Sequence, residues 1–209
     1  MAHTLARNWA EVVRLGRLVR RHLRHGRASF AGAPSAAKDR DLSTLFRTVN
    51  TFLRDLGGEY LIVCGTLLGW HRHRGLLPHD KDVDFGLPEA AYPLVRASGD
   101  RLPAGFLLHD TSHRHGGPKL YVEYRGWEAD LYFYAEKDDR LLPYVVSDEP
   151  GDAVPFPRDW FFPRQPATFL GEATFVPAQP EKYLEHQYGY FGADAERDPV
   201  TRYYRRRSP

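Results

Sequence analysis

The residues of this chain best suited to chemistry are carboxylates. In Asp80-Lys81-Asp82-Val83-Asp84 they fall at every second position. On an extended strand alternate side chains share a face, so Asp80, Asp82 and Asp84 are expected together, with Val83 and Phe85 turned to a core. Carboxylates held side by side raise one another's pKa unless a cation neutralises them. Hard oxygen donors suit a hard divalent ion, Mg²⁺ or Mn²⁺. The plainer reading is a solvated acidic turn after Pro78, and the apolar Val83 and Phe85 argue against it. A further carboxylate, Asp130, stands between Ala129 and Leu131 in a run that reads as a strand. Burying it alone is costly, so it needs either a salt bridge to an arginine or a share in the metal site, with Glu128 on the same face. Upstream, Gly65-Thr66 ends an apolar run. A small residue there lets a phosphate approach the backbone, and a helix start offers free N–H groups to an anion. Ordinary capping explains the same two residues.

The elements that must hold these groups follow from the hydrophobic pattern. Leu42, Leu45, Phe46, Val49, Phe52, Leu53 and Leu56 recur at helical spacing, with Asp41 or Ser43 as a cap and Gly57-Gly58 as the stop. Tyr60 to Cys64 suits a buried strand, and a short helix is predicted from Gly65 to about Arg74. Gly75 and Pro78 break the chain before a strand containing Val83 and Phe85. A helix is predicted over Glu89 to Ala97 despite Pro93, then strands over Leu120–Tyr124 and Ala129–Tyr134 with a turn at Gly126. Past Pro143, prolines and aromatics obscure the pattern, apart from a helix over 181–189. At the other end, Trp9, Val12, Leu15, Val19 and Leu23 line one face of a predicted helix over 8–25, with Arg14, Arg17, Arg21 and Arg24 opposite. Residues 26–40 read as a linker.

Bulk properties narrow the class. A chain of 209 residues defaults to one domain, and 42% hydrophobic with 27% charged residues suits a soluble globular protein. The lone Cys64 excludes an internal disulfide and a multi-cysteine zinc knuckle. No stretch has the length of a membrane span or the form of a cleaved signal peptide, so a cytoplasmic protein is expected. The net charge of +2 hides a basic N-terminal segment and a basic tail, Arg205-Arg206-Arg207. Such ends suit a phosphate-rich partner, and peripheral contact with an anionic membrane is the alternative to a solvated outer face.

The stretch Gly65 to Phe85, GTLLGWHRHRGLLPHDKDVDF, resembles the signature of the LicD/fukutin family of nucleotidyltransferase-fold proteins. Gly65, Thr66, Leu67, Leu68, Gly69, Arg72, Gly75, Pro78, Asp80, Asp82 and Asp84 match it without a gap. Asp130, Phe162-Pro163, Gly171, Val176-Pro177, Tyr183-Leu184 and Tyr188-Gly189 match more loosely. His79 and Lys81 depart from the Trp and Asp usual in bacterial members, and the zinc-binding cysteines of some animal members are missing.

The resemblance implies an α/β (α+β) fold, a nucleotidyltransferase-like mixed sheet flanked by helices. It divides the chain into a basic helix and linker (1–40) and a catalytic domain (41–209). It implies transfer of phosphocholine or a polyol phosphate from a CDP-linked donor to a sugar hydroxyl of a glycan or glycoconjugate. Asp82 and Asp84 would bind Mg²⁺ or Mn²⁺, and Asp130 would complete the site and help deprotonate the acceptor. Gly65 and Thr66 would cradle a phosphate, with Asp80 beside the substrate and Arg72 and Lys119 as phosphate partners. A salt bridge to an Asp is the other reading of Arg72, and a solvated loop charge that of Lys119. Tyr121, Tyr132 and Tyr134 line either the cleft or the core, and the histidines receive no role. Two other functions stay open. One is nucleotidyl transfer from a nucleoside triphosphate to a small molecule or protein. The other is a non-catalytic module binding anionic lipid or nucleic acid, although the basic segments match no nucleic-acid fold.

Overall fold

Helix α1 (Ala36–Asp55) turns Leu42, Leu45, Phe46, Val49, Phe52 and Leu53 inward, as its spacing requires. The computed structural model describes residues 36–145 and 150–207, so the helix predicted over 8–25 lies outside the described residues. The start of α1 corrects the sequence reading. Ala36-Ala37-Lys38 are good helix formers and extend the helix into the stretch expected as linker. Asp41 and Ser43 therefore lie inside the helix and cap nothing. The extension has a use, because Lys38 Nζ donates to the carbonyls of Pro78 at 2.8 Å and Asp80 at 3.3 Å.

Beyond α1 come β1 (Leu61–Ile62), α2 (Cys64–His73), β2 (Asp82–Pro88), α3 (Tyr92–Ala97), β3 (Phe106–Asp110), β4 (Lys119–Tyr124) and β5 (Trp127–Lys137). The sheet runs β1-β2-β5-β4-β3. Its neighbours are antiparallel except β2 and β5, which are parallel and in register, Asp82 with Glu128 and Asp84 with Asp130. This is a mixed sheet flanked by helices, as expected. Pro93 does not break α3 because it occupies the first turn, where no N–H is needed. The β4–β5 hairpin turns on Arg125-Gly126, both at positive φ, the two-residue geometry that matches strand twist. Cys64 starts α2 rather than ending a strand.

Strand alternation gives the sheet two faces. Val83, Phe85, Leu87, Leu120, Val122, Ala129, Leu131 and Phe133 form one, each at most 3% exposed. Phe46 of α1 stacks on Phe85 there, ring centroids 5.5 Å apart. The strand β6 (Arg140–Pro143) extends the sheet beside β5, with β7 (Phe156–Pro157) beside it. The hairpin β8 (Gln165–Phe169) with β9 (Glu172–Val176), unread in the sequence pattern, packs on the α1 side, Phe169 edge-on to Phe46. The other face is divided. Its far half is closed by side chains from β7, the turn after it and α4 (Pro180–Tyr188), the helix expected over 181–189. Tyr134, Phe156, Phe161 and Tyr183 pack together in that half, so Tyr134 belongs to the core. Its near half carries the carboxylates.

A last hairpin, β10 (Ala195–Arg197) with β11 (Tyr204–Arg206), contains most of the basic tail. Arg205 lies 3.1 Å from Glu196, Arg206 3.3 Å from Asp194 and Arg207 3.9 Å from Glu196, so acids of the same hairpin face these arginines. No described helix is long and apolar enough to cross a membrane.

Candidate active site

The start of α2 points at a carboxylate of its own chain. Thr66 donates its backbone N–H and its hydroxyl to Asp84 Oδ2, at 3.2 and 3.3 Å, and its Oγ1 accepts the Asp84 N–H at 2.7 Å. The helix start assigned to a substrate phosphate thus holds Asp84 in place, and Thr66 is its clasp. Gly65 serves the same cluster. A Cβ there would stand 3.4 Å from both Asp80 Oδ1 and Asp84 Oδ2, in the space those two oxygens share. Asp80 itself precedes β2 rather than lying on it, and its Oδ2 accepts the Leu77 N–H at 2.8 Å. Its carboxyl reaches the cluster through the turn.

Burial and crowding set the protonation here. Asp84 is 5% exposed. Burial pushes its carboxyl well above the ordinary range, Asp82, Asp130 and Asp80 push it the same way, and the Thr66 N–H opposes them. Burial also lifts Asp80, to about 6, with Asp82 adding to the rise and the Leu77 N–H opposing it.

Asp130 and Lys119 correct the sequence reading together. Lys119 is the first residue of β4, 5% exposed, and not a loop charge. Its Nζ lies 2.8 Å from Asp130 Oδ1 and 3.6 Å from the centre of the Tyr132 ring. Tyr132 donates its hydroxyl to Asp130 Oδ2 at 3.3 Å. The partner of Asp130 is therefore a lysine, a choice invisible in sequence because hairpin register brings the two together. Among the described residues Arg72 meets no aspartate. It donates to the carbonyls of Phe191 at 2.8 Å and Gly192 at 2.7 Å, tying α2 to the chain beyond α4. Across the β4–β5 ladder Tyr121 stands opposite Asp130, with the His109 ring stacked on it at 4.6 Å. Lys38 was missed altogether, since its reach to the 78–80 turn has no local signal.

Among the described residues, no group of three or more His, Cys, Asp or Glu side chains is gathered closely enough to hold a metal ion by itself. The three carboxylates Asp82, Asp84 and Asp130 are thus not gathered into an ion site by themselves, and Asp130 Oδ1 stands at ion-pair distance from Lys119. Mg²⁺ asks for less: one or two carboxylates, with substrate phosphates and water in the other positions. Asp82 and Asp84 are a hard-oxygen pair of that kind. Like charges crowded round a buried acid are also what a dication relieves. The donor set fits an ion that arrives with a phosphate ligand. A groove lined by Trp70, Arg74, Thr168, Leu170 and Gly171 lies at the opposite end of α2 and contains no carboxylate.

Comparison with known proteins places this geometry in context. The sequence profile of the LicD/FKTN/FKRP nucleotidyltransferase domain matches residues 57–179, which include Asp80, Asp82, Asp84 and Asp130. Ribitol-5-phosphate transferase FKTN of Mus musculus is 28% identical over 147 residues, 66% of this chain and 30% of that protein. The human protein of the same name is 26% identical over the same shares. An uncharacterized protein of Rickettsia typhi is 24% identical over 161 residues, 74% of this chain and 47% of that one. The match therefore spans less than a third of the length of the FKTN relatives. Among solved structures, the lincosamide antibiotic adenylyltransferase LnuA bound to lincomycin aligns over 76% of this chain and 90% of its own, with a TM-score of 0.44 and 10% identity.

Proposed function

This chain belongs to the LicD/FKTN/FKRP nucleotidyltransferase-domain family, and on that premise we propose that it is a transferase moving a phosphoryl-linked group, phosphocholine or a polyol phosphate, from a CDP-linked donor to a sugar hydroxyl of a glycan or glycoconjugate. The observation that carries the reading is the register of β2 and β5. It sets Asp84 beside Asp130, with Asp82 one step away on the same face. The similarity to the FKTN ribitol-5-phosphate transferases supports a phosphorylated polyol among the transferred groups.

Asp82 and Asp84 are the residues to hold Mg²⁺ or Mn²⁺. An ion held there would supply positive charge to the donor diphosphate and to the leaving oxygen. The chain's own residues do the rest. Thr66 fixes the Asp84 carboxylate, and Gly65 leaves open the space into which Asp80 and Asp84 both reach. Lys119 supplies a positive charge for a phosphate oxygen. Asp130 takes the proton of the acceptor hydroxyl, whose oxygen forms the new bond to phosphorus while the bond to CMP breaks.

The test is a donor screen with Mg²⁺ or Mn²⁺ using CDP-choline, CDP-glycerol, CDP-ribitol and nucleoside triphosphates, with the released nucleotide identified. The expected result is CMP release from one CDP donor, falling by about a hundredfold or more in Asp82→Ala and in Asp130→Ala. Pyrophosphate release from a triphosphate would point to nucleotidyl transfer instead. Unchanged donor turnover in both variants would remove the carboxylates from the chemistry.

A further inference from the structure

Lysines are rarely buried, yet Lys119 is 5% exposed at the head of β4. Its ammonium lies at ion-pair distance from Asp130 Oδ1, but not along a hydrogen-bond direction. Among the described residues no other acceptor meets Nζ, and its remaining neighbour is the face of the Tyr132 ring. An ammonium has three N–H donors to satisfy. This one lies on the carboxylate-bearing face of the sheet with its donors unspent, which makes it an anion-seeking group. Meanwhile Asp130, next to Asp84 in register, lies at ion-pair distance from that same lysine, and among the described residues no three acids are gathered closely enough to hold an ion by themselves.

We propose that Lys119 is a tethered counter-ion that changes partners: the donor's diphosphate draws its ammonium off Asp130, and the freed carboxylate then turns to its register partner Asp84. The inference rests on the proposed function for the identity of the phosphate ligand. Its physical content is a coupling. Releasing Asp130 into a cluster of carboxylates is unfavourable by itself. It becomes favourable only when a dication and a phosphate anion arrive together, one for the acids and one for the lysine. Each ligand must therefore tighten the other by the same factor. Water and free cations alone would leave the site closed, which keeps Asp130 from acting before the donor is in place.

The experiment is Mn²⁺ binding to the full chain, followed by electron paramagnetic resonance of the free ion, with and without CDP. The wild type is expected to bind Mn²⁺ about tenfold more tightly when CDP is present. Lys119→Met, whose volume suits the same site, is expected to bind Mn²⁺ about tenfold more tightly than wild type without CDP and to gain little from it. Lys119→Arg keeps the charge and should retain the wild-type dependence on CDP. Adding Asp130→Asn to Lys119→Met should return the affinity to the wild-type level. Lys119→Gln makes the same comparison if circular dichroism shows the methionine variant to be unfolded. A folded variant without the lysine charge that binds Mn²⁺ no better than wild type in the absence of CDP overturns the exchange, while CDP-dependent Mn²⁺ binding by wild type would leave the proposed function standing. A wild type that binds Mn²⁺ neither alone nor with CDP overturns both.

Discussion

At the scale of single residues, the site is a set of acids held in different states by their surroundings. Asp80 gives the clearest consequence. Its ordinary value is 3.8 and burial lifts it to about 6 in the folded chain. A carboxyl raised in this way costs stability when it is ionised, so the cost is present above about pH 6 and fades as the pH falls toward 3.8. Asp80→Asn removes the charge and keeps an oxygen for the Leu77 N–H. In chelator-treated protein it should raise unfolding stability at neutral pH by on the order of 2 kcal/mol, with the gain shrinking below pH 6. Denaturant titrations at neutral and acidic pH would check this, and a gain that grows on acidification would contradict it. The types and spacing of Asp82, Asp84 and Asp130 were legible in the sequence because strand alternation is local. What Arg72, Lys119 and Thr66 do was not. Each is defined by a partner distant in sequence: Phe191 and Gly192 for Arg72, Asp130 for Lys119, Asp84 for Thr66. A basic residue near an acidic motif suggests phosphate binding, and the sequence alone does not show the tertiary contact it also makes.

At the scale of elements, the periodic segments were readable and the pairings between them were not. The apolar stripe of α1 and the Arg125-Gly126 turn follow from helix and hairpin rules. The parallel pairing of β2 with β5 is reached only after α3, β3 and β4 have intervened, and no local pattern encodes it. The β8–β9 hairpin was hidden for a different reason, since its edge strands mix Pro166 and Gln165 with apolar residues. Its attachment to α1 runs through a fully buried amide. Asn50 donates Nδ2–H to the Ala173 carbonyl at 2.9 Å and accepts the Tyr60 hydroxyl at 3.0 Å. Asn50→Ala leaves both groups unpaired and should cost on the order of 2 kcal/mol. Hydrogen exchange should quicken along β8 and β9 before it does in β2 and β5. An unchanged unfolding midpoint would show that the amide holds nothing together.

At the scale of the whole molecule, one half of the second sheet face carries the carboxylates and the other is sealed by the aromatic layer of Tyr134, Phe156, Phe161 and Tyr183. That division explains why the polar residues gather at the N-terminal end of β2. The basic tail, a candidate for a phosphate-rich partner on charge alone, largely faces the acids of its own hairpin. The central claim is that Asp82 and Asp84 accept a divalent ion in company with a nucleotide phosphate and that Asp130 then joins them. The most direct measurement is the anomalous-scattering map of crystals grown with Mn²⁺ and CDP. The expected result is a manganese peak bound by Asp82 and Asp84, with CDP phosphate oxygens beside it and Asp130 turned away from Lys119. Bound CDP with no manganese at these carboxylates, or manganese seated elsewhere on the chain, would contradict the account.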